Sequence, residues 1–384
     1  MKSVVKKNAF TIVELLVAMT LLVILLGLSG MVFNTTVQAH RAAGATIEIT
    51  RNLRAIRDQL NTDFKGLRKD GEIFLAWVVR PAIDENGYID KNENGTPDYQ
   101  EQFDRDDYQK FDRIIFFANG DYQTLQPQAL TAAAGGGSKI VQGNLARISY
   151  MLANNSNGTE ASLQPDRAGR ILARTEHIVT ADVDLPLFPD PAELLPAVWD
   201  PAVFEQNNFF DYEYQTMTMA DWTNMSNLVS PYVAAKDDIL TILSDIDNIL
   251  GASTTTVSGP GPTVDFGLTN TYRNLFCSGV GEFSVQIWLD DEKRWYPQID
   301  PNGDGNSSDT DYRLDGAVID QTYVGGLLYP DPITGANDLK TNSNMSVPNR
   351  PLKFTALKFT FTLYDSKGII PGGKTFTHIV YIDN

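Results

Sequence analysis

Two sets of carboxylates in this chain have residue types and spacings that could do chemistry. The first is a single acid. From Phe10 to Phe33 the sequence is mostly apolar, and Glu14 is its only charge. As a helix at about 1.5 Å per residue, this stretch would span about 36 Å, enough to cross a bilayer. A carboxylate inside such a span is costly, so it needs a partner and by default has a task. The second set is a pair of Asp/Asn/Gly loops. Asp90, Asn92, Asn94, Gly95, Thr96, Asp98 and Glu101 follow the spacing of a twelve-residue calcium loop. The side-chain oxygens of Asp90, Asn92 and Asn94 would converge on the ion. Gly95 allows the sharp turn, Thr96 offers its carbonyl, Asp98 ligates through water and Glu101 closes the site in bidentate fashion. Asp300, Asn302, Asp304, Gly305, Asn306 and Asp311 repeat the pattern, with Asp in the last position.

Residues of these types also make plain polar turns. Pro97 stands where a paired EF-hand places an apolar strand residue, and neither loop is clearly flanked by two helices. Two such loops in one acidic chain still favour at least one structural calcium ion, which would neutralise clustered carboxylates and pin a long surface loop. Other site chemistry finds little support. His40, His177 and His378 are far apart and Cys277 is the one cysteine, so neither a zinc site nor an internal disulfide is expected. Cys277, beside Leu275 and Phe276, is expected as a packed small residue. Gly135-Gly136-Gly137-Ser138-Lys139 lacks the first glycine of a phosphate loop and is expected as a turn. There is no Gly-x-Ser-x-Gly elbow, and no enzymatic role is expected. With 31 basic and 48 acidic side chains the net charge is −17, which argues against nucleic-acid binding by the bulk surface.

The elements that must position these residues follow from periodicity. Ile49, Leu53, Ile56, Leu60, Phe64 and Leu67 recur at spacings of four, three, four, four and three, one apolar stripe of a helix. Arg51, Arg54, Arg57, Asp58 and Lys65 fill its other faces, and Gly71 is a plausible stop. The pattern predicts one helix from Phe10 to about Lys69, roughly 90 Å long, apolar all round at first and amphipathic afterwards. A folded head must clasp the second half. Alternation predicts strands at Phe283 to Leu289 and Leu357 to Leu363. Shorter candidates run from Ile114 to Phe117, Ile148 to Leu152, Ile171 to Thr175 and Phe376 to Ile382. Asp365-Ser366-Lys367-Gly368 reads as a turn. Strands after one long helix suggest an α+β fold, an antiparallel sheet packed on that helix.

The middle reads as an insertion over about 185–269, rich in Pro, Asp and aromatics. Ser230 and Pro231 signal the start of a helix near 231–250, with Ile239, Ile242, Leu243, Ile246, Ile249 and Leu250 on one face and Gly251 at its end. The stretch 253–262 reads as a linker. Trp199, Phe209, Phe210, Tyr212, Tyr214 and Trp222 could form the core of the insertion or a recognition surface.

The start, Lys6-Lys7-Asn8-Ala9-Phe10-Thr11-Ile12-Val13-Glu14-Leu15-Leu16, resembles that of type IV prepilins and of the pseudopilins of type II secretion. The resemblance implies a peptidase cut between Ala9 and Phe10 and methylation of the new Phe10 amine. The family usually has Gly before the cut, where this chain has Ala9. It also implies that Glu14 pairs with the Phe10 amine of a neighbouring subunit, so that each charge offsets the cost of burying the other. A secretory signal peptide ending at Gly27-Leu28-Ser29, or a plain single-span anchor, are the competing readings, and Glu14 argues against both. Lys2, Lys6 and Lys7 precede the span, which predicts a cytoplasmic leader and a body beyond the inner membrane.

Within that family the body is similar to the J-type minor pseudopilin, over roughly residues 10–180 and 270–384. The similarity rests on the helix from Arg51 to Arg68, Gly143 to Tyr150, Arg170 to Arg174, the Phe283 to Trp295 strand pair and the final hairpin from Arg350 to Asp383. It implies a leader over 1–9, a membrane half of the helix over 10–33, an amphipathic half over 34–70, and a head formed by 71–184 and 270–384. Implied partners are other pseudopilins or pilins, the prepilin peptidase, the inner membrane and secreted cargo. A type IV pilus minor pilin with an adhesive or cargo-binding head is the alternative.

Overall fold

The computed structural model describes residues 11–68, 73–81, 108–153, 166–185, 213–216, 273–290, 293–296, 321–327 and 354–382, with residues 262, 264 and 266. Helix α1 runs over Ile12–Lys65, 54 residues or about 81 Å. Its head-proximal half buries Ala45, Ile49, Ile56, Leu60 and Phe64, with Leu53 half-covered beside them, as the stripe predicts. The helix ends earlier than Lys69. Gly66 caps it, and the Asn119 backbone N–H donates to the Gly66 carbonyl at 2.6 Å. Leu67, expected on the helical stripe, instead forms a β-bridge with Ala118, and the Arg68 N–H donates to the Phe117 carbonyl. Docking onto a strand therefore ends the helix before Gly71 can.

Two sheets receive it. The strands are β1 (Ile73–Pro81), β2 (Tyr108–Lys110), β3 (Arg113–Gln123), β4 (Gln128–Ala129), β5 (Ser138–Lys139), β6 (Gln142–Leu152), β7 (Ile171–Thr180) and β8 (Tyr214–Thr216). They continue as β9 (Leu275–Ser278), β10 (Val280–Leu289), β11 (Arg294–Tyr296), β12 (Gln321–Leu327), β13 (Phe354–Leu363) and β14 (Lys374–Tyr381). The larger sheet has the order β12-β1-β3-β6-β7-β8, with β2 beside β1 and β9 beside β7; the smaller is β11-β10-β13-β14. Strands β4 and β5 form a separate short pair. Every pairing is antiparallel except β7 with β8, and β8 lies in the stretch expected as an insertion. Five of the six strand candidates of the sequence fall inside observed strands, and the sixth, Phe376 to Ile382, overruns β14 by one residue.

The core sits between α1 and the inner faces of both sheets. Phe64 stacks on Phe116 of the larger sheet (ring centroids 4.2 Å apart) and lies 5.5 Å from Phe359 of the smaller. Each fully buried ring of this kind contributes about 1.5–3 kcal/mol through apolar burial. Polar groups knit the sheets together. Asp112 accepts from the Val285 N–H at 2.7 Å, and its own N–H donates to the Phe283 carbonyl. Arg170 donates to the Gly281 carbonyl at 2.7 Å and lies over the Phe111 ring.

Candidate functional site

Glu14 lies in the first turn of α1, where a helix leaves backbone N–H groups unpaired. Thr11 is the N-cap, with an extended backbone. Its hydroxyl accepts from the Glu14 N–H at 3.3 Å. Glu14 Oε2 accepts in return from the Thr11 N–H and hydroxyl, both at 2.9 Å. This reciprocal capping box fixes where the helix begins. The Thr11-x-x-Glu14 spacing carries it in the sequence, so Thr11 joins the site although only Glu14 was singled out. Glu14 thus has a partner within its own chain.

From Ile12 to Phe33 every side chain is exposed, Ile12 by 81 % and Phe33 by 72 %. An apolar cylinder of this size is out of place in water. Among the described residues, α1 is the one helix long and apolar enough to cross a membrane. Residues 34–44, which carry Asn34, Thr35, Thr36, His40 and Arg41, continue as largely uncovered helix up to Ala45.

Beyond Ala45, among the described residues, the head grips α1 at four polar points. Glu48 accepts from the Ser366 N–H and hydroxyl, both at 3.2 Å, and the Thr46 hydroxyl accepts from Lys374 Nζ. Asn61 meets His378 Nε2 at 2.9 Å. The fourth is buried. Asp63 is held in bidentate fashion by Arg174, with Nε at 2.7 Å and Nη2 at 2.9 Å, and also accepts from the Tyr150 hydroxyl and from Gln59. Arg174 donates in addition to Glu176 at 2.8 Å. Burial opposes the charged Arg174, but hydrogen bonds and charge from Asp63 outweigh it and hold the guanidinium ionised. Burial, then the Asp63 charge, pushes the Tyr150 hydroxyl well up and Tyr122 up to about 12. The network is fully paired at Asp63, as a buried ion must be.

Ala9 and Phe10 lie outside the described residues. So do both calcium-like loops, Asp90, Asn92, Asn94, Thr96, Asp98 and Glu101 in one and Asp300, Asn302, Asp304, Asn306 and Asp311 in the other, along with the helix expected near 231–250. The roots of the loops are in view. The first connects Pro81 of β1 to Tyr108 of β2, and the second enters β12 at Gln321. Val79 of β1 pairs with Lys110 on one side and Gln321 on the other. The first connection and the far end of the second therefore meet at one end of the larger sheet, while the second leaves Tyr296 of β11 in the smaller sheet. Among the described residues no group of three or more His, Cys, Asp or Glu is arranged for a metal. Cys277 is buried, and burial pushes its thiol up to about 12, which leaves it a packed residue and a poor nucleophile. Gly135, Gly136 and Gly137 all have positive φ and form the expected turn.

Residues 5–30 match the family model for the prokaryotic N-terminal methylation motif. No curated protein and no solved structure matches the chain significantly. The segment that leads into α1 thus carries the signature shared by type IV prepilins and pseudopilins, on a helix that the remainder of the chain clasps from Ala45 onward.

Proposed function

We propose that this chain is a minor pseudopilin, a structural subunit at or near the tip of a type II secretion pseudopilus. The observation that carries the reading is the division of α1. An exposed apolar half with one carboxylate, Glu14, follows a methylation motif, and a half clasped by a broad two-sheet head continues it. A peptidase cuts between Ala9 and Phe10, and the Phe10 amine is methylated. On assembly Glu14 leaves its Thr11 cap for the Phe10 amine of a neighbour, exchanging a local hydrogen bond for an ion pair in hydrocarbon. The chain then spans the inner membrane once with its head outside the cytoplasm. Its role is mechanical rather than catalytic. A large head suits the tip, where it would not hinder packing along the fibre body, and where it contacts other minor subunits or cargo.

Calcium is a structural ion in this reading. Support comes from the spacing of oxygen ligands in the two Asp/Asn/Gly loops. Full-length protein in detergent should melt higher in calcium than in chelator, by about 2.7 kcal/mol at a hundredfold excess over Kd. Loss of the shift in D90A/E101A or D300A/D311A assigns the loop, and a melt unmoved by calcium excludes the ion.

The test of the main reading is Glu14→Ala in the native host. Secretion should fail, with at least a tenfold drop in subunit incorporation and normal membrane insertion. A clean deletion, scored for supernatant proteins and surface pili together, separates the alternative. Lost pili or adhesion with intact secretion would make this a type IV minor pilin with a binding head.

A further inference from the structure

The outer face of the clasped half of α1 carries cations that pair with no carboxylate among the described residues. Ile47, Arg51, Arg54 and Asp58 follow one another at spacings of four, three and four, opposite the buried Ile49, Ile56 and Leu60. All four are exposed, Ile47 by 69 %. The nearby acids are engaged. Glu48 holds Ser366, Asp63 holds Arg174, and Asp58 pairs with Arg57 at 3.5 Å. Among the described residues, Arg51 and Arg54 form no ion pair.

The remainder of the chain has the opposite character. Eight of its 31 basic and four of its 48 acidic side chains precede Leu67, which leaves twenty-three basic against forty-four acidic beyond it. A bare arginine ridge on so acidic a protein is the complement of its own kind of head. The ridge also continues a line already exposed on the same helix, through Phe33, Thr36, His40 and Gly44 to Ile47. A subunit that packs on the apolar part of that line meets Arg51 and Arg54 next. Lipid headgroups do not reach them, because Arg51 lies about 27 Å along the helix beyond Phe33, well past an interfacial layer of only several ångströms.

We propose that Arg51 and Arg54 dock the acidic head of the adjacent subunit in the fibre. The proposal rests on the fibre reading above and adds the chemistry of the partner surface. Paired arginines there steer the approach of an acidic head and fix its register, while the apolar half supplies the burial.

The test compares full-length wild type, R51E/R54E, R51K/R54K and E14A in the native host, with sheared fibres as the probe. R51E/R54E should reach the membrane with an unchanged melting temperature and enter fibres at least tenfold less. R51K/R54K should keep most of its entry, since a point charge suffices for steering. A photocrosslinker at Ala55 should join an acidic peptide in the head of another fibre subunit, and the adduct should vanish in R51E/R54E. Normal entry of R51E/R54E with exclusion of E14A overturns the ridge and leaves the fibre reading standing. Normal entry of both variants overturns the fibre reading itself. If the reversal lowers the melting temperature, R51A/R54A replaces it, and wild-type entry of that variant again overturns the ridge.

Discussion

Asp63 and Glu14 are both acids of α1 with specific partners, yet only one of them could be found by reading. Glu14 stands out because every neighbour from Phe10 to Phe33 is uncharged. Asp63 hides in an amphipathic stretch, and its partner Arg174 is 111 residues away on β7, a pairing that only the fold creates. Removing one side of a buried ion pair strands the other, so Asp63→Ala should cost about 3 kcal/mol. Glu176 remains beside Arg174 to limit the loss. The double variant D63A/R174M should recover most of it, and denaturant melts of the detergent-solubilised chain decide the matter. His378 gives the grip on Asn61 a pH dependence. Burial, then Arg57, lowers its pKa below the usual 6.5. The folded state therefore favours the neutral ring. The stability it contributes is full above about pH 6.5 and fades as the pH falls through the lowered value. The melting-temperature advantage of wild type over His378→Gln should accordingly shrink between pH 7.5 and pH 5.

At the level of elements, period-four and period-two patterns succeeded where one face is buried and the other carries the more polar, less covered residues. That condition holds for α1 beyond Ala45 and for β10 and β13 of the smaller sheet. Pattern reading misses β1, Ile-Phe-Leu-Ala-Trp-Val-Val-Arg-Pro, whose continuous apolar run has no alternation to distinguish strand from helix. It fails too for three-residue strands such as β8 and β11, which exist only because a longer neighbour pairs with them. The helix stop was misjudged for a similar reason. Gly66 is needed less for helix propensity than for space, since a Cβ there would lie 2.1 Å from the Asn119 carbonyl oxygen. The obstacle is backbone and cannot swing away. Gly66→Ala should cost about 2 kcal/mol through forced displacement of β3, and the same melts would measure it.

For the whole molecule, the α+β class and the helix-on-sheet plan were legible in the sequence, whereas the division into two sheets sharing Phe64 was not. Nothing in local spacing says that β10 pairs with β13 rather than with β7, because that choice is made by the shapes of the buried faces. The same architecture sets an order on the birth of the protein. The surfaces that cover α1 include β13, β14 and the turn between them, and Ser366 meets Glu48 across 318 residues of chain. The helix is synthesised long before these strands exist, and in the proposed reading it already lies in the bilayer by then. Until residue 382 or so is in place, Ile49, Ile56 and Leu60 cannot be fully covered. Such distant contacts form late and slowly. A nascent chain arrested before residue 354 should be cut by protease within the clasped half of α1. In pulse-labelled cells, resistance should appear only once the final hairpin is complete. The clasped half of α1 cannot be fully covered until β13 and β14 close over it, which makes that hairpin a built-in check on the folding of the helix it grips.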